Sequence, residues 1–402
     1  MAKFPKGLER TRLACYSAYF TMSSVFSLPA LLFTTFHTLY GISYTLLGTL
    51  VLTNFVTQLA VDLIFTLFAK HFNIKKVIRV MPLITACGLA AYALIPLLLP
   101  RYAYAGLVVG TVIFSVSAGL SEVLLSPVIA AIPSNNPSRD MSLLHSLYAF
   151  GFFTVVVVST VFLRLFGAER WWVLTLLWST LPVVASVLFF LSPIPQMEQS
   201  NEQKGTAPRT GLAMVLFVAC IFFGSCAENA MGNWLSTYIE SALHIDKALG
   251  DILGMAMFAI LLGLTRILYA KYARNIWHIL FLGMVGAAVC YLTAGLVGGT
   301  TLPFLACSFT GVFTSMLWPG SLILMEEKLP HVGVAGYALM AAGGDLGASL
   351  APQLQGIVVD QVASFAPEQQ AMKAGMLVSA IFPLLGVLVL LCIRRQSKKA
   401  ER

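Results

Sequence analysis

The chain has 402 residues, of which 58% are hydrophobic and 10% charged, with a formal net charge of +8. Ordinary soluble domains carry about 25% charged residues, so a water-soluble globular protein is excluded. A nucleic-acid binder needs basic residues gathered on an exposed face, whereas here they gather at the ends of apolar segments.

A membrane-crossing helix takes about 20 residues, so this length accommodates twelve with short loops between them. Apolar runs between polar breaks predict spans at 13–38, 44–69, 76–99, 102–130, 143–166, 171–192, 211–238, 248–271, 276–298, 301–325, 332–358 and 372–393. The basic start, MAKFPKGLERTR, leads into the first run without a small-residue cleavage site, which predicts a retained first anchor. Pro29, Pro82, Pro127, Pro182, Pro319 and Pro352 lie inside runs and predict bends. The seven cysteines lie in or beside apolar runs with no CxxC spacing, so neither a disulfide nor a metal site is expected.

The most polar stretch, SPIPQMEQSNEQKGTAPRTG (192–211), follows the sixth span. It predicts a six-helix bundle over 1–192, a cytoplasmic linker over 193–210 and a second six-helix bundle over 211–402, an arrangement of repeats about an axis along the membrane normal. With the amino terminus inside, nineteen Lys and Arg fall on the cytoplasmic side and five on the other. The positive-inside rule then places both termini in the cytoplasm.

Ionisable side chains well inside the predicted spans are Asp62, Glu122, Glu228, Arg266 and Asp345. Each costs about 3 kcal/mol at the bilayer centre on insertion scales. Four acids and one base cannot all pair, so some acids carry a proton part of the time, the chemistry of a proton-coupled carrier. Asn54, Gln58 and Asp62 recur at i, i+4, i+8 and form one stripe of a helix. Asp345, Ser349 and Gln353 repeat that spacing among Gly343, Gly344 and Gly347, which permit close helix approach. Glu228, Asn229, Gly232, Asn233 and Ser236 share one arc of the seventh span, with Trp234 and Tyr238 on the other flank, and Ser17, Thr21 and Ser24 add hydroxyls on the first. Together these groups suit a cavity for a neutral, hydroxyl-rich solute. Trp318 and Tyr148 are placed to stack on the apolar face of a ring, and Arg266 is the charge partner of an acid. The competing reading makes Asn54 and Ser349 interhelical glue, Asp62 a packing or gating group, and Trp234 and Trp318 lipid-facing.

The segments SAGLSEVLLSPVIAAIP (117–133), SLLHSLYAFGFF (142–153), ENAMGNWLSTYIE (228–240), TGVFTSMLWPGSLIL (310–324) and GGDLGASLAPQLQG (343–356) resemble spans 4, 5, 7, 10 and 11 of the fucose-permease-like branch of the major facilitator superfamily. The resemblance implies an all-α membrane protein of twelve transmembrane helices in two six-helix bundles, and a sugar:proton symporter. It assigns Glu122 to the membrane-embedded glutamate used in sugar binding and proton coupling, and Asn229 and Asn233 to the amide region that contacts sugar. The branch's first-span aspartate is absent, with Thr21, Ser23 and Ser24 in its place, which shifts the proton route toward Asp62 or Asp345. The loop motif between spans 2 and 3 departs too: FAKHFNIKK (68–76) has Lys70 for the expected acid and Asn73 for the second glycine.

The expected function is secondary active transport of a small neutral solute, a sugar foremost, by proton symport with alternating access. The alternatives are export of amphipathic compounds and sodium-coupled sugar uptake. The expected solute contacts are Asn54, Gln58, Glu122, Tyr148, Glu228, Asn229, Asn233, Trp318 and Gln353, and the proton carriers Glu122, Asp62 and Asp345. No nucleophile, metal cluster or phosphate loop points to an enzyme, and no cofactor is expected. The carrier is expected as a monomer in a bacterial plasma membrane, with the solute, the coupling ion and the bilayer as its partners.

Overall fold

A computed structural model describes residues 7–68, 71–134, 137–195, 211–272, 275–329 and 333–400. The linker predicted over 193–210 lies outside the described residues from 196 onward. Among the described residues the chain is helical, with no strand. In lipid a backbone satisfies its polar groups internally, and a helix does so within one segment.

The first predicted span is α1 (Leu8–Leu31) and α2 (Phe33–Tyr40), bent by 47° at their junction. It is followed by α3 (Tyr44–Phe68), α4 (Ile74–Leu98), α5 (Ala103–Ala130), α6 (Pro137–Phe166) and α7 (Trp171–Phe190). The second half begins with α8 (Gly211–Leu243). Its next span joins α9 (Lys247–Gly250), a π-helical turn (Asp251–Ala256) and α10 (Met257–Tyr272). Then come α11 (Ile276–Leu296), α12 (Thr301–Thr314) with α13 (Leu317–Lys328), α14 (Gly333–Ala363), and α15 (Glu368–Ser379) with α16 (Ile381–Ala400). Among the described residues, ten helices are long and apolar enough to cross a membrane, and the bent α1–α2 pair makes an eleventh. The 31-residue α14 is the twelfth, more polar because it carries Asp345, Ser349, Gln353 and Gln355.

Proline explains two of the breaks. A proline ring clashes with the carbonyl four residues back. Pro319 therefore frees the Ser315 carbonyl where α12 gives way to α13, and Pro383 does the same to Ser379 where α15 gives way to α16. Helices α4, α5, α7 and α14 continue as helix past Pro82, Pro127, Pro182 and Pro352.

The chain forms two compact units, Met1–Ile42 with Thr53–Gln199, and Ser43–Leu52 with Ser200–Arg402. Helix α3 is thus divided, its first nine residues grouping with the second unit. Asp360 of α14 makes the joint there, accepting from Tyr44 N with Oδ1 at 3.0 Å and from Thr45 N with Oδ2 at 2.6 Å. Within the first unit α4 and α5 run in close contact at Gly110, where a Cβ would stand 2.6 Å from the Tyr92 backbone. Phe36, Tyr92 and Trp171 make an edge-on aromatic core nearby. In the second unit α14 presses Gly347 against the Phe222 carbonyl of α8.

Candidate functional site

In the first unit the α3 stripe faces α5. Asn54 Oδ1 accepts from Gln58 Nε2 at 2.9 Å and from Ser115 Oγ at 2.6 Å. Both amide side chains are buried, Asn54 at 6% and Gln58 at 1% exposure, so their hydrogen bonds are internal and tie α3 to α5. One turn further along α3, Asp62 meets Gly119 of α5. A Cβ at Gly119 would stand 3.0 Å from Asp62 Oδ1 and 3.1 Å from the Gln58 carbonyl, so the missing side chain is what lets the carboxyl lie against the neighbouring helix. Asp62 Oδ1 is buried there with no hydrogen-bond partner.

Glu122 is three residues beyond Gly119, hence on the same face of α5. It is exposed. A further layer joins Thr85 Oγ1 to Ser117 Oγ at 2.7 Å, and Ser117 Oγ to the Met81 carbonyl. Tyr148 of α6 stands edge-on to Phe26 at 5.8 Å, and Phe26 packs at 5.6 Å from Phe55, so the tyrosine belongs to an aromatic wall of this unit.

In the second unit Glu228 of α8 has one oxygen 3.5 Å from Arg266 Nη2 of α10 and the other buried without a partner. Arg266 also donates from Nε to the Ser315 carbonyl at 2.9 Å. That carbonyl is the one Pro319 releases, so the proline break and the arginine are complementary: the break would otherwise leave an unpaired acceptor in the membrane. Asn229 Nδ2 donates to the Ser225 carbonyl at 3.1 Å, and Asn233 Nδ2 to the Asn229 carbonyl at 2.8 Å. The Oδ1 atoms of both amides accept no hydrogen bond among the described residues and remain open to a donor.

The Trp318 ring lies against Gly344 of α14, a position no residue with a side chain could occupy without moving it. Asp345 follows, 6% exposed, and Gln353 Oε1 is buried without a hydrogen-bond partner. Ser349 turns its hydroxyl back to the Leu346 carbonyl at 2.8 Å. Trp234 is fully buried, its Nε1 donating to the Pro352 carbonyl at 3.0 Å; the lipid-facing alternative for it is overturned.

Ser236, grouped with Glu228 by helical arc, instead donates to Asp251 of the π-helical turn and accepts from Lys247 Nζ at 2.9 Å. Lys247 also stands 3.5 Å from both Glu240 and Asp251. Asp251 is 1% exposed, a buried acid absent from the side chains singled out in the sequence. Its i, i+4 spacing from Lys247 is the signal that would have found it. Among the described residues no group of three His, Cys, Asp or Glu is arranged to hold a metal ion.

Residues 14–352 match the family model for the Major Facilitator Superfamily. The chain belongs to the major facilitator superfamily. Among solved structures, this major facilitator is similar to a D-xylose-proton symporter, at 14% identity and a TM-score of 0.79 over 96% of this chain and 97% of that one. A nucleoside transporter is similar at 12% identity and a TM-score of 0.74, over 96% and 99%. The fucose:proton symporter of E. coli is similar at 14% identity and a TM-score of 0.62, over 96% and 99%. At these identities the likeness is one of fold. Among curated proteins, none matches the chain by sequence.

Proposed function

We propose that this major facilitator takes up a small neutral solute, foremost a sugar, together with a proton, by alternating access. The observation that carries the reading is the unequal treatment of the acids. Glu228 is held by Arg266, whereas Asp62 lies against Gly119 with Glu122 one turn further along the same face of α5, and neither acid enters an ion pair among the described residues.

An acid beside a guanidinium stays charged and accepts hydrogen bonds. Two acids sharing one environment with no base favour a proton between them. The proton is therefore assigned to Glu122 and Asp62, with Asp345 as the further carrier on α14. The solute's hydroxyls are assigned to the free oxygen of Glu228, to Asn229 and Asn233, and to Gln353, with Trp318 and Tyr148 against the apolar face of its ring. Asn54 and Gln58, whose hydrogen bonds are internal to the α3–α5 contact, frame Asp62. Coupling requires that the protonated acid and the bound solute favour the same conformational change.

Nucleosides are the second solute class, supported by the similarity in fold to a nucleoside transporter. They are neutral, bear hydroxyls and offer an aromatic ring to Trp318. The positive-inside count supports both termini in the cytoplasm, and a plasma membrane is the proposed location.

The test is a thermal-shift panel of sugars, nucleosides and lipophilic cations on the purified carrier and on Glu122→Gln. Stabilisation by a sugar supports the reading, and stabilisation by lipophilic cations alone overturns it in favour of export. Reconstituted carrier that takes up the stabilising solute with alkalinisation of the medium establishes the proton; uptake only with sodium present replaces the proton with sodium.

A further inference from the structure

Helix α11 starts beside the end of α16. Asn275 caps α11, its Oδ1 accepting from His278 N at 3.2 Å, and Trp277 Nε1 donates to the Leu390 carbonyl of α16 at 3.2 Å. The indole is stacked on the Phe281 ring at 5.1 Å. A Cβ at Gly386 of α16 would stand 2.5 Å from Met284 Sδ of α11, so the two helices run close together. With its N–H spent and a ring stacked on it, Trp277 is a fixed plate. The Arg394 guanidinium lies over that plate, 4.5 Å from the ring centroid.

Arg394 is exposed, and among the described residues no hydrogen bond or ion pair takes up its N–H donors. Arg395 beside it is exposed too, as is His278, whose ring stands 5.1 Å from that of Trp277. At the end of α10, Lys271 Nζ lies 5.0 Å from the Tyr272 ring centroid. Residues 266–282 and 369–400 contain no Asp or Glu, so neither segment supplies an answering charge. Away from this end both helices turn apolar side chains outward. Leu282, Val285 and Val289 follow His278 along one stripe of α11, and Leu384 and Leu388 lead to Arg395 along one stripe of α16.

The positive-inside rule asks only for charge near the bilayer surface and leaves each Lys or Arg side chain mobile. Arg394 differs because an aromatic face holds its guanidinium, and that planar fork suits two parallel hydrogen bonds to a phosphate. Cationic donors at the head of outward apolar stripes complement an amphiphile with a negative head and apolar tails. We infer that this end of the second unit binds an anionic glycerophospholipid: Arg394 on the Trp277 plate receives the phosphate, Arg395 and His278 stand beside it, and the acyl chains lie along the outward stripes of α11 and α16. Basic pockets between membrane helices hold lipid head groups in this way. Every residue involved belongs to the second unit, and the inference is independent of the solute and of the coupling ion.

Native mass spectrometry of the full-length, delipidated carrier in detergent tests this, with phosphatidylglycerol, phosphatidylethanolamine and phosphatidylcholine of the same acyl chains titrated separately. A basic residue at a membrane surface contributes roughly fivefold in affinity for an anionic lipid, so phosphatidylglycerol is expected to bind about tenfold or more tighter than the other two. Arg394→Gln is expected to weaken phosphatidylglycerol by roughly fivefold to tenfold and to leave the other two unchanged. Arg101→Gln, at an exposed arginine of the first unit, is expected to change nothing. Trp277→Leu keeps every charge and is nevertheless expected to weaken phosphatidylglycerol, because the guanidinium loses its plate. Arg394→Lys, which keeps the charge and loses the fork, is expected to do the same, and it carries the point if the leucine variant does not fold. Equal binding of the three lipids overturns the inference, as does an equal loss in Arg394→Gln and Arg101→Gln, or wild-type affinity in Arg394→Lys. Displacement of the lipid by glycerol 3-phosphate at the same concentration overturns it in favour of a soluble phosphate ester. A wild-type dimer that Arg394→Gln dissolves overturns it in favour of a second copy of the chain. Failure of the sugar panel leaves these outcomes unaffected, so the two readings fail separately.

Discussion

The Arg266 guanidinium stands 3.5 Å from one oxygen of Glu228 and leaves the other oxygen buried without a partner. The pair is partly open, with side-chain exposures of 31% and 18%, so it is neither a surface bridge nor a sealed one. Removing one member strands the other, and the cost of a fully buried orphan, several kcal/mol, is reduced here by access to water. Arg266→Gln is expected to lower unfolding stability by about 1–3 kcal/mol. Adding Glu228→Gln to it should recover most of that loss. Thermal melts of the single and double variants in detergent check this, and an equal loss in both discounts the ion pair.

Glu122→Gln is expected to abolish solute-driven alkalinisation while exchange of labelled solute across the membrane continues. In the wild type, uptake requires the protonated acid, so its rate should fall as external pH rises; in the glutamine variant the profile should be flat. A glutamine variant that still acidifies the vesicle interior during uptake would falsify the assignment of the proton to this residue.

Two glycines on α5 separate packing from chemistry. A Cβ at Gly110 would meet Tyr92 main-chain atoms at 2.6 Å, which cannot give way, whereas at Gly119 it would meet the movable Asp62 Oδ1 at 3.0 Å. Gly110→Ala should cost roughly 1–3 kcal/mol of stability by overpacking. Gly119→Ala should cost less than about 1 kcal/mol yet reduce proton-coupled uptake, because the carboxyl is displaced. Melting curves beside uptake rates for both variants distinguish these outcomes.

Ser115→Ala removes one of the two donors that reach Asn54 Oδ1 and should cost about 1 kcal/mol. Asn54→Leu strands Gln58, leaves Ser115 only the Thr111 carbonyl and should cost more, of order 2 kcal/mol. Chemical or thermal unfolding of the two variants orders them; a reversed order would detach Asn54 from the α3–α5 contact.

The spans were legible because membrane helices are set by length, apolarity and the clustering of charge at their ends. The Arg266–Glu228 pairing was legible in part: the sequence marked an arginine without an obvious partner, and chain position alone did not say which acid it would choose. The choice follows from the proline break at Pro319, which exposes the Ser315 carbonyl that orients the guanidinium. Asp251 was missed for a physical reason. An acid in the first turn of a span reads as an interfacial charge, and only the π-helical turn and Lys247 reveal that it is enclosed. Asp360 was missed because the donors it serves are backbone amides, which leave no mark in a pattern of side chains.

The joint between α3 and Asp360 also has a history within each molecule. Thr45 and Asp360 are 315 residues apart in sequence. At roughly 5–20 residues per second, translation takes about 15 to 60 seconds to pass from one to the other. For that interval α3 exists with the amides of its first turn hydrated at the bilayer surface and no carboxylate to receive them. The contact is consequently among the last to form during biogenesis, and a ribosome-bound chain halted before residue 360 holds α3 without it.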